Sequence, residues 1–194
     1  MGRIVVINHL TLDGVMQAPA GRDEDTRDGF EHGGWAAANN DEVMGEYLGR
    51  GMAGGPGRLL FGRRTYEHMY SYWPKQTDDN PFTEVLNRSQ KYVVSTTLND
   101  PLAWMNSTLL RTLEDVADVK RREEKDIVVL GSGDLLQSLM AHGLVDEYLL
   151  MTHPLVLGSG RRMFRDGGSF ATLRLTDSVI TTKGVVIARY HSAA

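Results

Sequence analysis

The stretch from Asp126 to Gly143, DIVVLGSGDLLQSLMAHG, constrains the fold of this chain more than any other. Ile127 to Leu130 is a run of branched apolar residues of the kind that forms a strand buried on both faces of a parallel sheet. The run breaks at Gly131-Ser132-Gly133, and apolar residues return one helical turn apart at Leu135, Leu136, Leu139 and Met140. That spacing is the inner face of a helix packed on the sheet. Small residues between the two let backbone N–H groups approach a ligand at the positive end of a helix, where a phosphate is the natural guest. A purely steric glycine turn has the same letters, so at this level both readings stand.

Composition sets the class. The chain has 194 residues, enough for one domain with a full core, and its 41% hydrophobic and 24% charged residues are ordinary for a soluble globular protein. A formal charge of −4 gives no broad basic surface for nucleic acid. The absence of cysteine excludes disulfides, thiolate catalysis and cysteine-ligated zinc, and the histidines show no metal-site spacing, so no metal is expected. The apolar run Ile4 to Ile7 is too short for a signal-peptide core, and no later stretch has the length to span a bilayer. The expectation is a soluble, cytoplasmic protein without a membrane partner.

In chain order, Ile4 to Ile7 reads as a buried strand leading through Asn8 and His9 to the turn at Asp13-Gly14. Gln17 to Gly34 is a long loop of the kind that serves as a lid or binding loop. Asn39 with Glu42 resembles a capping pair for a helix whose inner face is Val43, Met44, Tyr47, Leu48 and Met52, and the run from Gly54 to Gly57 ends it. Arg58 to Phe61 is a strand running into Gly62-Arg63-Arg64-Thr65, with Thr65 as the helix cap. The paired arginines either hold a phosphate or are solvated surface cations. Asn80-Pro81 starts a short helix, and Lys91 to Ser95 is a strand ending in hydroxyls at Ser95, Thr96 and Thr97. Thr112 with Asp115 starts another helix. After the central strand–turn–helix, Val145 to Thr152 is a strand whose close succession predicts a right-handed crossover and parallel pairing. Leu173 to Thr182 and Val185 to His191, around Lys183-Gly184, predict an antiparallel hairpin at the end of the chain. A single α/β domain over residues 1–194 is the expected organisation: a three-layer sandwich on a mostly parallel sheet with an antiparallel C-terminal hairpin.

The standard nucleotide templates fail at the central turn. Leu136 stands where a dinucleotide fingerprint needs its third glycine, and about 20 residues on there is Thr152-His153 rather than an acid. A P-loop needs Gly-Lys-Ser/Thr, which does not occur.

Several motifs taken together carry a more specific signal. Leu12-Asp13-Gly14, Leu59-Leu-Phe-Gly-Arg-Arg-Thr-Tyr-Glu67, Val94-Ser-Thr-Thr97, Val128-Val-Leu-Gly-Ser-Gly133 and Asp146-Glu-Tyr-Leu-Leu-Met-Thr-His-Pro154 occur in this order. The pattern resembles the dihydrofolate reductase-like superfamily, most closely the C-terminal reductase domain of the bifunctional deaminase–reductase of riboflavin biosynthesis. The resemblance covers nearly the whole chain and implies an NADPH-dependent reductase of a small heterocyclic or phosphoribosylamine-type substrate, working as a homodimer. A dihydrofolate or pterin reductase is one alternative. A protein that binds NADPH without turnover is another, and a flavin or deazaflavin reductase on a different fold is a third.

Carried over by position, the resemblance assigns Asn8 and His9 to the nicotinamide and Asp13 and Gly14 to a loop over it. Gly62, Arg63, Arg64 and Thr65 fall on the adenosine-side phosphates, and Ser95 and Thr96 on the 2′-phosphate. Gly131, Ser132, Gly133, Asp134 and Leu135 fall on the pyrophosphate, where the Asp134 carboxylate must turn away from the anion. The catalytic carboxylate of folate reductases falls among Asp41, Glu42 and Glu46, with Asp41 and Glu42 the candidates; all three also read as ordinary helix acids. Arg161 and Arg162 are the expected site for a substrate phosphate. The segment before the first helix, Gly33-Gly34-Trp35-Ala-Ala-Ala38, lacks the Pro-Trp pattern of folate reductases and counts against folate. A deaminase zinc signature is absent from the sequence.

Overall fold

The structure, a computed structural model, describes residues 1–52, 57–77 and 80–193, without the side chains of 51, 52 and 81. The helix stop expected at 54–56 lies outside the described residues. Eight strands join in one sheet: β1 (Ile4–Thr11), β2 (Arg58–Gly62), β3 (Gln90–Val94), β4 (Ser107–Leu110), β5 (Ile127–Leu130), β6 (Glu147–His153), β7 (Leu173–Ile180) and β8 (Val186–Ser192). Their spatial order is β4-β3-β2-β5-β1-β6-β8-β7. The first six are mutually parallel, and β8 and β7 add antiparallel at one end.

The expected crossover from β5 to β6 is parallel, but the two strands do not pair. β1 lies between them, bonded to β5 on one side and β6 on the other. The helix that connects them therefore spans one intervening strand, and the first apolar run of the chain lies inside the sheet between β5 and β6.

Five helices cover the sheet: α1 (Glu42–Met52), α2 (Arg63–Tyr72), α3 (Pro81–Arg88), α4 (Leu113–Arg122) and α5 (Gly133–Ala141). Strand alternation sorts the core into two faces. Ile4, Val6, Leu60, Ile127 and Val129 point to the face covered by α4 and α5, where Val116, Val119, Leu136 and Leu139 are buried against them. Each fully buried aliphatic side chain there contributes roughly 1.5–3 kcal/mol. The opposite face carries two separate clusters. Leu59, Phe61 and Val93 pack with Tyr66, Leu86 and Trp104, whereas Leu149, Met151 and Ile187 pack with Met44 of α1. The gap between those clusters becomes the cleft.

Helix starts differ from the sequence reading in two places. α1 is capped by Asp41, whose Oδ1 accepts the Met44 N–H at 2.9 Å, rather than by Asn39 with Glu42. Asn39 is used in a short 3₁₀ turn, Ala37–Asn39. α2 begins directly from β2 with Gly62 as the cap residue, so Thr65 sits inside the first turn and its hydroxyl is free for another partner. The Thr112–Asp115 capping box forms as expected, with both reciprocal bonds present. Asn80 also caps α3 as the sequence indicates, accepting the Phe82 N–H at 3.0 Å.

The long loop after β1 is packed rather than loose. Val15, Ala18 and Phe30 are buried together, and Gln17 ties the loop by donating to the Asp25 and Arg27 carbonyls while accepting the Arg161 N–H. Gly160 allows the close approach: its φ is +115°, and a Cβ there would lie 2.7 Å from both Phe30 and Val15.

Candidate active site

A cleft of about 1290 Å³ opens along the face between α1 and α2 and wraps the C-terminal ends of the central strands. It exceeds the roughly 300–1,000 Å³ of an ordinary small-molecule pocket, which suits two ligands side by side. Asn8, His9, Gly62, Arg63, Arg64, Thr65, Gly131, Ser132, Gly133, Asp134 and Leu135 all line it. The sequence motifs separated by up to 127 positions, from Asn8 to Leu135, thus converge on one surface.

The turn from β5 to α5 is built from two consecutive left-handed residues, Gly131 at φ +70° and Ser132 at φ +68°, ψ +63°. A left-handed serine costs about 1 kcal/mol and persists because its hydroxyl is fixed. Ser132 Oγ accepts the Gly62 N–H at 2.7 Å and donates to Thr65 Oγ1 at 2.8 Å. Gly62 eases that approach, since a Cβ there would come to 3.3 Å from the same oxygen and push it aside. The effect is to lock the start of α2 beside the start of α5. Neither helix has a side-chain cap. Two uncapped helix starts therefore sit side by side on neighbouring parallel strands, and their amide donors and dipoles favour an anionic group.

Asp134, in the first turn of α5, does not repel such a group. Arg165 Nη2 lies 2.9 Å from it, with Arg161 at 3.8 Å and Arg27 at 3.9 Å. The Arg165 hydrogen bond leads the causes that hold its carboxyl below the usual range. Arg64 is exposed in the cleft wall, while Arg63 pairs with Glu67 at 3.0 Å. Further along, Arg111 and Thr112 line the cleft, and Arg111 holds the Ser95 and Leu98 carbonyls at 2.9 and 2.8 Å.

Several expected site residues have other work. Ser95 is buried and its hydroxyl accepts the Thr97 and Leu98 N–H groups, both at 3.1 Å; neither it nor Thr96 lines the cleft. Asp13 accepts the Thr11 hydroxyl at 2.6 Å and the Leu157 and Gly158 N–H groups, bonds that hold its carboxyl down at about 2. It staples the end of β1 to the loop after β6, and Gly14 beside it makes the turn with φ +79°. Arg162 joins this staple by donating to the Asp13 carbonyl at 2.7 Å and lies outside the cleft, whereas Arg161 lines it. Asp41 is held on both oxygens: besides capping α1, its Oδ2 accepts the Thr182 hydroxyl at 2.7 Å and the Lys183 N–H at 3.1 Å. Asp41 and Glu42 do not line the cleft, because the helix start turns them toward the β7–β8 hairpin and solvent.

Three lining residues escape a reading of the sequence alone. Arg27 and Arg111 come from loops with no local motif, and Met16 reaches in from the packed loop after β1. The Arg111 position, immediately before a capping box at a strand end, was the one available signal.

Comparisons with known proteins agree with this geometry. The family model "RibD C-terminal domain" matches residues 3–187. The protein YyaP of Bacillus subtilis (strain 168) is 28% identical over 195 residues, covering 97% of this chain and 94% of that protein. A putative riboflavin biosynthesis protein from Shewanella sp. PV-4 superposes with a TM-score of 0.68 at 17% identity, covering 99% of each chain. Dihydrofolate reductase from Enterococcus faecalis, complexed with NADP(H) and RAB-propyl, superposes with a TM-score of 0.62 at 13% identity, covering 100% of this chain and 98% of that one. The architecture is thus the dihydrofolate reductase-like one, and the chain belongs to the RibD C-terminal domain family.

Proposed function

We propose that the protein is an NADPH-dependent reductase that transfers a hydride to a small heterocyclic or phosphoribosylamine-type acceptor. The observation that carries this reading is the pair of uncapped helix starts, α2 and α5, locked together by Ser132 at the ends of β2 and β5. A dinucleotide pyrophosphate fits that arrangement: it needs clustered backbone donors, close approach at glycine, and neutralising cations, and all three are present. The matched family and the NADP(H) complex of the structurally similar dihydrofolate reductase support the choice of cofactor.

In this reading Gly131 to Leu135, with Gly62, Arg63 and Thr65, hold the pyrophosphate. Arg64 and Arg111, toward the β4 edge of the cleft, take the 2′-phosphate in place of Ser95 and Thr96, which do not face it. Asn8 faces the nicotinamide from β1; its amide nitrogen meets only the Met16 and Met163 sulfurs at 3.9 and 3.8 Å, a weakly satisfied buried donor. Bound NADPH supplies the hydride; the chain positions the ring, excludes water and holds the acceptor. The acceptor lies toward α1, with Arg161 and Arg27 at the cleft rim for a phosphate on it.

Calorimetric titration with NADPH and NADH tests the reading. Micromolar binding of NADPH with at least tenfold preference over NADH, followed by NADPH oxidation with a pterin or a phosphoribosylaminopyrimidine, is the expected result. Absence of heat and of thermal shift with either cofactor would overturn it. Tight binding without oxidation of any acceptor would instead favour an NADPH-binding protein.

A further inference from the structure

The half of the cleft beneath α1 is mostly apolar, floored by Ile7, Leu149 and Met151. Its polar groups are almost all engaged. The Tyr47 hydroxyl donates to Asp177 at 2.8 Å, and Arg189 pairs with the buried carboxylate of Glu147. Glu46 stands on the outer surface of α1 beside Arg50. No helix carboxylate of α1 lines this half among the described residues. That leaves His9. Its Nδ1 is 2.8 Å from Nε2 of His153, while its own Nε2 meets no partner among the described residues and opens to the cleft.

His153 decides which nitrogen of His9 carries the hydrogen. It is completely buried at the end of β6, with Trp35 perpendicular to it at 5.2 Å, and its Nδ1 has no hydrogen-bond partner. One hydrogen lies between the two rings. If His9 donated it, a neutral His153 would carry its own hydrogen on Nδ1, a buried donor with no hydrogen-bond acceptor among the described residues. If His153 donates it, only a lone pair is left bare, and buried orphan donors are the rarer and costlier of the two. The second arrangement puts the His9 hydrogen on Nε2, aimed into the cleft. A second proton on the pair is opposed by burial and by the neighbouring ring.

We propose that His9, held as a neutral Nε2–H imidazole by His153, is the hydrogen-bond donor that binds and polarises an uncharged carbonyl oxygen or imine nitrogen of the acceptor. This rests on the reductase reading and names the acceptor class. A preorganised neutral donor stabilises charge that builds on the heteroatom as NADPH delivers hydride to the adjacent carbon; it keeps its own proton, and solvent water supplies the proton that completes the reduced group. A protonated heterocycle needs a free carboxylate in that position, and Glu147, which lines the cleft under α1, is already taken up by Arg3 and Arg189. His9 contacts substrate; His153 is a positioning residue.

Nitrogen-15 NMR of histidine-labelled protein tests the assignment without any turnover. The expected result at about pH 7 is a neutral His9 with hydrogen on Nε2, whose resonance moves when lumazine, a neutral pteridine dione, saturates the cleft. His153→Phe is expected to mix the two tautomers of His9. Hydrogen on Nδ1, a cationic His9, or an Nε2–H unmoved by lumazine would each overturn the proposal. With a working acceptor, His9→Phe is expected to lower kcat on the order of 100-fold while the NADPH Kd stays within about twofold, and His9→Gln to recover part of the loss. A His9→Phe enzyme within about threefold of wild type would also overturn it. Should no acceptor support NADPH oxidation by the wild type, the reductase reading fails on its own, and the lumazine shift still decides the role of His9.

Discussion

Ser132 and Thr65 stand 67 residues apart in sequence and share a hydrogen bond of 2.8 Å at the point where two helices begin. Ser132→Ala removes that bond and leaves the Gly62 N–H without its acceptor, while the left-handed backbone remains. The expected cost is about 1–3 kcal/mol of stability together with weaker NADPH binding. Urea unfolding and calorimetry on the same preparation check both. Stability lost with cofactor affinity unchanged would show that the joint does not shape the phosphate site.

In the proposed reading Arg64 separates NADPH from NADH. It is exposed in the cleft wall and has no ion-pair partner among the described residues, so its removal disturbs little of the fold. Arg64→Gln is expected to weaken NADPH about 10- to 100-fold, the loss of one charge-assisted phosphate contact, and to leave NADH within about twofold. Parallel titrations decide it, and an equal loss for both cofactors would move the 2′-phosphate elsewhere.

Asp41 ties α1 to the β7–β8 turn through its capping bond and its two bonds to Thr182 and Lys183. Asp41→Ala is expected to lower the Tm by about 2–6 °C. With no place in the cleft lining, it should change kcat less than about threefold. A collapse of kcat with an unchanged Tm would restore Asp41 to the catalytic candidates.

Acid should weaken the fold before the carboxylates titrate. Burial first, then the charge of His153, lowers the His9 pKa from 6.5 to about 4, and burial lowers that of His153 as well. Above pH 6.5 these imidazoles are neutral in both folded and unfolded chains. Below it the unfolded chain binds protons that the folded one refuses, so stability falls as pH drops toward 4, by about 1–2 kcal/mol at pH 5 for His9 alone. Asp13 acts lower: its contribution is present above its unfolded value of 3.8 and is lost only as pH falls through about 2. Urea unfolding at pH 7.5, 6 and 5 should give a slope that His9→Gln reduces.

The sheet and the glycine turn before α5 were legible because their signals are local. A branched apolar run, a glycine turn and a helical repeat appear consecutively between Ile127 and Met140, and the structure folds them in place. Gly62 to Thr65, Asn8 and His9, each at the end of a readable strand, line the cleft for the same reason. The neighbours of β5 were misread because a crossover skips β1, and nothing local records a skipped strand. Asp41, Asp13 and Ser95 were misplaced because an acid or hydroxyl near an element end has the same letters whether it binds a ligand or ties down backbone. Their partners at Thr182, Gly158 and Leu98 are matters of tertiary placement. The His9–His153 contact joins residues 144 apart and leaves no pattern in the sequence.

Asn8 and His9 are consecutive on β1, so their side chains leave the strand on opposite faces, one toward the core under α5 and the other toward α1. A slip of one residue would exchange them, presenting the amide where the imidazole belongs. β1 is protected from such a slip by ladders on both edges and by the Asp13 staple at its end. Deleting Val6, which does not line the cleft, is therefore a change of chemistry as much as of packing: it would put the amide where the imidazole now points while conserving every residue that lines the cleft.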